Sequence, residues 1–230
     1  MTTRKSDVDA FIKRSHRDAA EVRAAYDKYL HDQTISSELK IDLKNLFGNL
    51  RSILDYLAHD IRETHCSSAN PNAHFYFPIL PDTATFQQRV NDWFPGLQSA
   101  CVALWDYLES VQPYQSGFTW LGNFNRLNNE NKHDSLVEQT RSEAERVNVS
   151  FNSGSVNWDP SAVKFGPGVS IGGVPVNPQT QLPVPHPSQT VQRIVWVDFQ
   201  FQGIGQSAIQ LVNQSVEGIE TIANDLYQWL

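Results

Sequence analysis

The sequence predicts an α+β fold, a helical bundle of about five helices with a small antiparallel β insert and a C-terminal helix. Three observations predict it. Apolar residues recur at three- and four-residue spacing through most of residues 6–141. The pattern turns to alternation of apolar and polar residues near residue 145. Helical spacing returns after residue 206. At 230 residues, one elaborated domain is the expectation, with residues 6–141 forming the bundle, 145–202 the β-rich segment and 206–230 a helix that packs back on the bundle.

Ser6 reads as an N-cap, with Asp7 and Asp9 at the positive end of a helix dipole. A long, fairly exposed helix to about Asp32 follows, carrying Val8, Phe11, Ile12, Val22, Tyr26, Tyr29 and Leu30. After a break at Gln33 to Ser36, Ser36 or Ser37 opens a helix to about Thr64. Leu39, Leu43, Leu46, Phe47, Leu50, Leu54, Leu57 and Ile61 form its apolar stripe, widened by Ile53 and Ala58. Prolines 71, 78 and 81 mark Ser67 to Asp82 as a loop, anchored by His74-Phe75-Tyr76-Phe77. A short helix is expected from Thr83 to Trp93. Another runs from Pro95-Gly96 to about Val111, with Leu97, Cys101, Leu104, Trp105 and Leu108 on its face. Pro113 ends it. A further helix is expected from about Phe118 to Arg141, with Trp120, Leu121, Phe124, Leu127, Leu136 and Val137.

Val147, Val149 and Phe151 alternate with polar residues as in a half-buried strand. Glycines and prolines crowd residues 153–188, which read as short strands and turns. Thr190 to Gln202 is the clearest strand. Val191, Arg193, Val195, Val197, Phe199 and Phe201 lie on one face, with Ile194 and Trp196 on the other. The terminal helix carries Ile209, Leu211, Val212, Val216, Ile219, Ile222, Ala223, Leu226 and Trp229.

Composition narrows the function classes. Hydrophobic residues at 40% and charged residues at 19% are those of a globular chain. A net charge of −7 argues against uniform coating by nucleic-acid phosphates, so any such contact needs a local basic patch. Cys66 and Cys101 build no disulfide framework. The polar N-terminus lacks the apolar core of a signal peptide, and no stretch approaches the roughly 20 apolar residues of a membrane span. A cytoplasmic location is the expectation.

The richest polar cluster runs from Asn123 to Asp134 and reads Asn-Phe-Asn-Arg-Leu-Asn-Asn-Glu-Asn-Lys-His-Asp. Asparagine is a mediocre helix former, so its density inside a helical segment is a local conflict of the kind that marks function or a buried polar network. On a helix, Arg126, Asn129 and His133 share one stripe, and Asn125, Asn128 and Lys132 an adjacent one.

Arg126, six intervening residues and His133 fit the R-x(4–6)-H signature of HEPN domains (higher eukaryotes and prokaryotes nucleotide-binding). The chain resembles HEPN-like helical proteins on that motif. Leu-Asn-Asn-Glu-Asn-Lys-His and the earlier run from Asn49 to Ala58 also look like segments of uncharacterised bacterial helical proteins. The resemblance covers roughly Glu38 to Arg141. The position after Arg126 is Leu127, where HEPN enzymes usually carry a polar residue. The resemblance implies a dimeric, metal-independent endoribonuclease or RNA-binding protein, acting in phage defence or as part of a toxin–antitoxin pair. Its partners would be RNA, an antitoxin protein and a second copy, and no cofactor would be needed. Arg126 would stabilise charge on a phosphate, His133 would transfer the proton of a ribose 2′-hydroxyl, and Asn129 would assist. Lys132, Asn128, Arg51 and Asp55 would line the binding surface.

A second reading accounts for the same residues structurally. Arg51, Asp55 and His59 form a polar stripe on the second helix. Asp55 pairing with Lys132 or Arg126, and Asn45 and Asn49 bonding Asn128 or Asn129, would make a satisfied network between two helices of a non-catalytic interaction protein. His59, His65, Cys66 and His74 match no zinc spacing. Gly-x-Ser-x-Gly is absent, and Gly166-Pro167-Gly168 and Gly172-Gly173 lack the Lys-Ser/Thr of a phosphate loop. Trp158 suits either an exposed partner contact or a hairpin anchor.

Overall fold

The structure, a computed structural model, describes residues 4–28, 36–133 and 139–230, with the side chains of 27–28, 131–133, 140–144 and 194–197 outside the described set. The fold is α+β. The chain divides into two compact units, one of Met1–Thr140 with Gln200–Leu230 and the other of Arg141–Phe199.

The first unit is helical. Helix α1 spans Lys5–Lys28 and α2 spans Ser37–His65. Ser36 caps α2, its side chain accepting from the Leu39 N–H at 3.2 Å. Every apolar residue of the expected α2 stripe is buried, Ile53 and Ala58 included. The wide stripe serves three partners, since α2 packs against α1, α6 and α7. Helix α3 spans Thr83–Trp93 as expected, capped by Asp82 accepting from the Thr85 N–H at 2.8 Å.

Two expectations need correction. The helix expected up to Val111 is split into α4 (Leu97–Ala100) and α5 (Val102–Ser110) by Cys101, whose backbone is extended at φ −152°. Helix α6 spans Thr119–His133 and stops short of Arg141, because Gln139 already opens a strand. There, strand pairing overrides the helix-favouring composition of Glu143-Ala144-Glu145. Tyr29, Leu30, Leu136 and Val137 lie outside the described residues. Helix α7, Ala208–Leu226, returns to α1, α2 and α6 and buries Leu211, Val212, Val216, Ile219, Ile222, Ala223 and Leu226.

Arg4 ties the start of α1 to α2. Its backbone N–H and guanidinium both donate to the Asp60 carboxylate, at 2.9 and 2.6 Å, and a second guanidinium nitrogen reaches Glu63 at 2.6 Å. The Tyr227 hydroxyl donates to the same Asp60 at 3.2 Å. Arg4 holds the Glu63 carboxyl below its ordinary range.

The second unit carries two small sheets. Strands β1 (Gln139–Phe151), β2 (Gly154–Trp158) and β6 (Gln189–Phe201) form one, ordered β2-β1-β6. Strands β3 (Ser170–Ile171), β4 (Val174–Asn177) and β5 (Leu182–Pro183) form the other. In the β1–β2 hairpin Val147 faces Trp158 and Val149 faces Val156. Trp158 is 6% exposed and meets Phe165 edge-on at 5.0 Å. It is the hairpin anchor, so the exposed-contact reading is set aside. The side chains of Ile194, Val195, Trp196 and Val197 lie outside the described residues.

Candidate functional site

Helix α6 presents three kinds of face. Trp120, Leu121, Phe124 and Leu127 are buried, and Phe47 of α2 meets Phe124 edge-on at 5.7 Å. This contact fixes the rotation of α6 against α2. The asparagines on either side of the apolar stripe then point to different places.

Asn125 and Asn129, one helical turn apart, line a groove of about 280 Å³ with Arg51, Asp55, Tyr76, Phe77, Ile79 and Trp93. Three segments build it: α2, α6, and the chain from loop 67–82 into α3. Arg51 is buried and forms its centre. Its Nε donates to Asp55 Oδ1 at 3.1 Å, and Nη1 donates to Asn125 Oδ1 at 3.2 Å. The Tyr76 ring lies 5.8 Å from the Arg51 guanidinium carbon and 6.2 Å from the Trp93 ring, edge-on. Tyr76 is 54% exposed, while its neighbour Phe77 is buried and Phe75 packs on Phe94 at 5.9 Å. The aromatic run therefore anchors the loop through Phe75 and Phe77 and offers Tyr76 outward.

Arg126 lies apart from this groove. Its Nε donates to Glu130 at 2.8 Å and its Nη1 to the Gly203 carbonyl at 3.0 Å, with half of the side chain exposed. Gly203 has φ +75°, and a Cβ there would stand 2.9 Å from Arg126 Nη2. Arg126 thus braces the turn between β6 and α7. Lys132 and His133 end α6, but their side chains lie outside the described residues.

The pairings expected between the helices resolve differently. Asp55 pairs with Arg51 on its own helix at 3.1 Å. Asn49 Nδ2 approaches Asp18 at 3.5 Å, in place of Asn128 or Asn129. Asn128 is 3% exposed and faces a second cavity, between α1 and α2, where its amide nitrogen has no partner among the described residues. The histidines also separate. His59 packs edge-on to Phe75 at 4.7 Å, and His65 Nε2 lies 2.9 Å from the Trp229 carbonyl. Among the described residues no three His, Cys, Asp or Glu side chains gather as metal ligands. Burial pushes the Cys66 thiol up to about 11.

Of the residues expected in the site, Arg51, Asp55 and Asn129 line this groove, Asn128 lines the second cavity and Arg126 lies apart, while the side chains of Lys132 and His133 lie outside the described residues. Tyr76, Trp93 and Asn125 line the groove without being among the expected site residues. The sequence signal for Tyr76 is the run Phe75-Tyr76-Phe77, where alternation in an extended segment sets it opposite its two neighbours. The arrangement offers a planar ligand an exposed ring, two amides and a guanidinium, beside a carboxylate already paired to that guanidinium.

No helix among the described residues is long and apolar enough to cross a membrane. Comparison with protein-family models, curated protein sequences and solved structures returns no match to this chain.

Proposed function

We propose that the chain is a HEPN-like RNA-binding protein whose groove between α2 and α6 receives one unstacked base of a single strand. The observation that carries this reading is the convergence of Arg51, Asn125, Asn129, Tyr76 and Trp93 on one groove. An exposed ring stacks on any base, amides meet base edges, and a guanidinium meets a phosphate or a ring acceptor. Asp55 neutralises part of Arg51, and the chain carries a net charge of −7. Affinity therefore rests on stacking and base contacts, and few phosphates are neutralised.

Fluorescence anisotropy with a labelled single-stranded RNA tests this. Loss of one stacked base is worth about 1–3 kcal/mol, so Tyr76→Ala should weaken binding roughly five- to hundredfold. Asn129→Ala should weaken it less. Unchanged affinity in both variants rejects the groove as the site. Cleavage is the second arm. If His133 serves as the general base implied by the resemblance, wild type cleaves RNA in EDTA and His133→Ala does not. Equal background activity removes the nuclease while leaving the binding reading intact.

A non-catalytic interaction protein is the second reading, favoured by the closed contacts of Arg126 with Glu130 and Gly203. On that reading, wild type shows no RNA affinity, and Asn125→Ala acts on stability alone.

A further inference from the structure

We propose that the cavity between α1 and α2, separate from the groove above, binds a planar aromatic acid. Two independent observations mark it as built to hold a ligand. Asn128 is 3% exposed and faces this cavity, and its amide nitrogen has no hydrogen-bond partner among the described residues. A buried donor without an acceptor is destabilising and is rare in folded proteins. An acceptor atom on a bound molecule would satisfy it. The second observation is Gly48. It stands in the middle of α2, where glycine weakens a helix, and a Cβ added to it would meet nothing within 4 Å. Glycine at this position leaves the floor of the cavity open.

The other walls set the ligand class. Phe11 of α1 and Tyr56 of α2 line the cavity and meet edge-on at 5.8 Å, giving an aromatic wall for a flat ring system. Two cations stand at the rim, Arg14 and Lys44. Arg14 is committed to Asp18 by two bonds at 2.7 and 2.8 Å. Lys44 is exposed and has no carboxylate partner among the described residues. Asp7 lies at the same rim, so the field there is mixed and selects one anionic group over a polyanion. The volume of about 930 Å³ is in the range of small-molecule sites and exceeds a single six-membered ring. The matching ligand is a fused aromatic system with a ring acceptor for Asn128 and a carboxylate for Lys44.

Three isosteric probes separate these features: quinoline-4-carboxylate, 1-naphthoate, which lacks the ring nitrogen, and quinoline-4-carboxamide, which lacks the charge. Titration of the full chain by calorimetry or ligand-observed NMR should rank quinoline-4-carboxylate first, by about threefold or more over each analogue. Gly48→Leu fills the cavity with a good helix former and should cut affinity at least tenfold, with helical circular dichroism retained. Asn128→Leu replaces the unpartnered amide and should abolish the preference over naphthoate. Lys44→Gln should abolish the preference over the carboxamide. No binding of any probe at millimolar concentration, or equal affinity in Gly48→Leu, would overturn the proposal. Tyr76→Ala lies in the other groove and should leave these affinities unchanged, so the RNA reading and this one stand or fall separately.

Discussion

Two glycines inside helices should respond oppositely to the same substitution. Gly48 lies in α2 with open space where a Cβ would go. Gly218 lies in α7, and a Cβ there would meet the Trp120 indole, with Cη2 at 2.7 Å and Cε2 at 2.9 Å. Alanine in a helix interior is favoured over glycine by about 1 kcal/mol. Gly48→Ala should therefore gain about 0.5–1 kcal/mol, since nothing opposes it. Gly218→Ala gains the same backbone term. It also forces apart α6 and α7 at a rigid ring, an overpacking cost of about 1–3 kcal/mol or more. The net loss should be up to about 2.5 kcal/mol. For a chain of this size each kcal/mol moves Tm by about 2–4 °C. Urea and thermal unfolding followed at the helix signal should show Gly48→Ala shifted up by a few degrees and Gly218→Ala shifted down. Shifts of the same sign would refute the packing of α7 on Trp120.

Removing the Asp60 carboxylate leaves Arg4 with Glu63 alone and strips the Tyr227 hydroxyl of its acceptor. Asp60→Ala should cost about 2–4 kcal/mol in urea unfolding, with a coupling above about 0.5 kcal/mol in a cycle with Tyr227→Phe. A neutral substitution would rule out this cluster as the lock between α1, α2 and α7. The Cys66 thiol holds its proton to about 11 in the fold against an ordinary 9.0. Its contribution to stability is complete below pH 9 and is lost as pH rises toward 11, since the unfolded chain releases the proton first. Tyr107 and Tyr227 are raised by burial in the same direction. Unfolding midpoints should accordingly fall above pH 9, and at pH 8 the Cys66 thiolate should be about 0.1% populated, so alkylation should label Cys101 first. Prior labelling of Cys66 would contradict its burial.

The parts of the fold legible in the sequence were those with local causes. Ser36 caps the helix it precedes, and the leucines of α2 mark its buried face without outside information. The break at Cys101 carries neither proline nor glycine, so periodicity runs straight through it. The end of α6 is not legible because Gln139 to Ala144 looks helical locally, while its strand state depends on pairing with β6, far along the chain. The site divides the same way. Arg51, Asp55, Asn125 and Asn129 stand on readable helical stripes. Tyr76 and Trp93 reach the groove from other segments, which no period encodes. The carbonyl that engages Arg126 lies 77 residues away in the chain.

Photo-crosslinking locates the bound strand most directly. A single-stranded RNA carrying 4-thiouridine, irradiated with the full chain and mapped by mass spectrometry, should yield adducts on Tyr76 or Trp93, or in the peptide spanning Asn125 and Asn129. Adducts confined to residues 141–199, or none with any strand tested, would contradict base capture between α2 and α6.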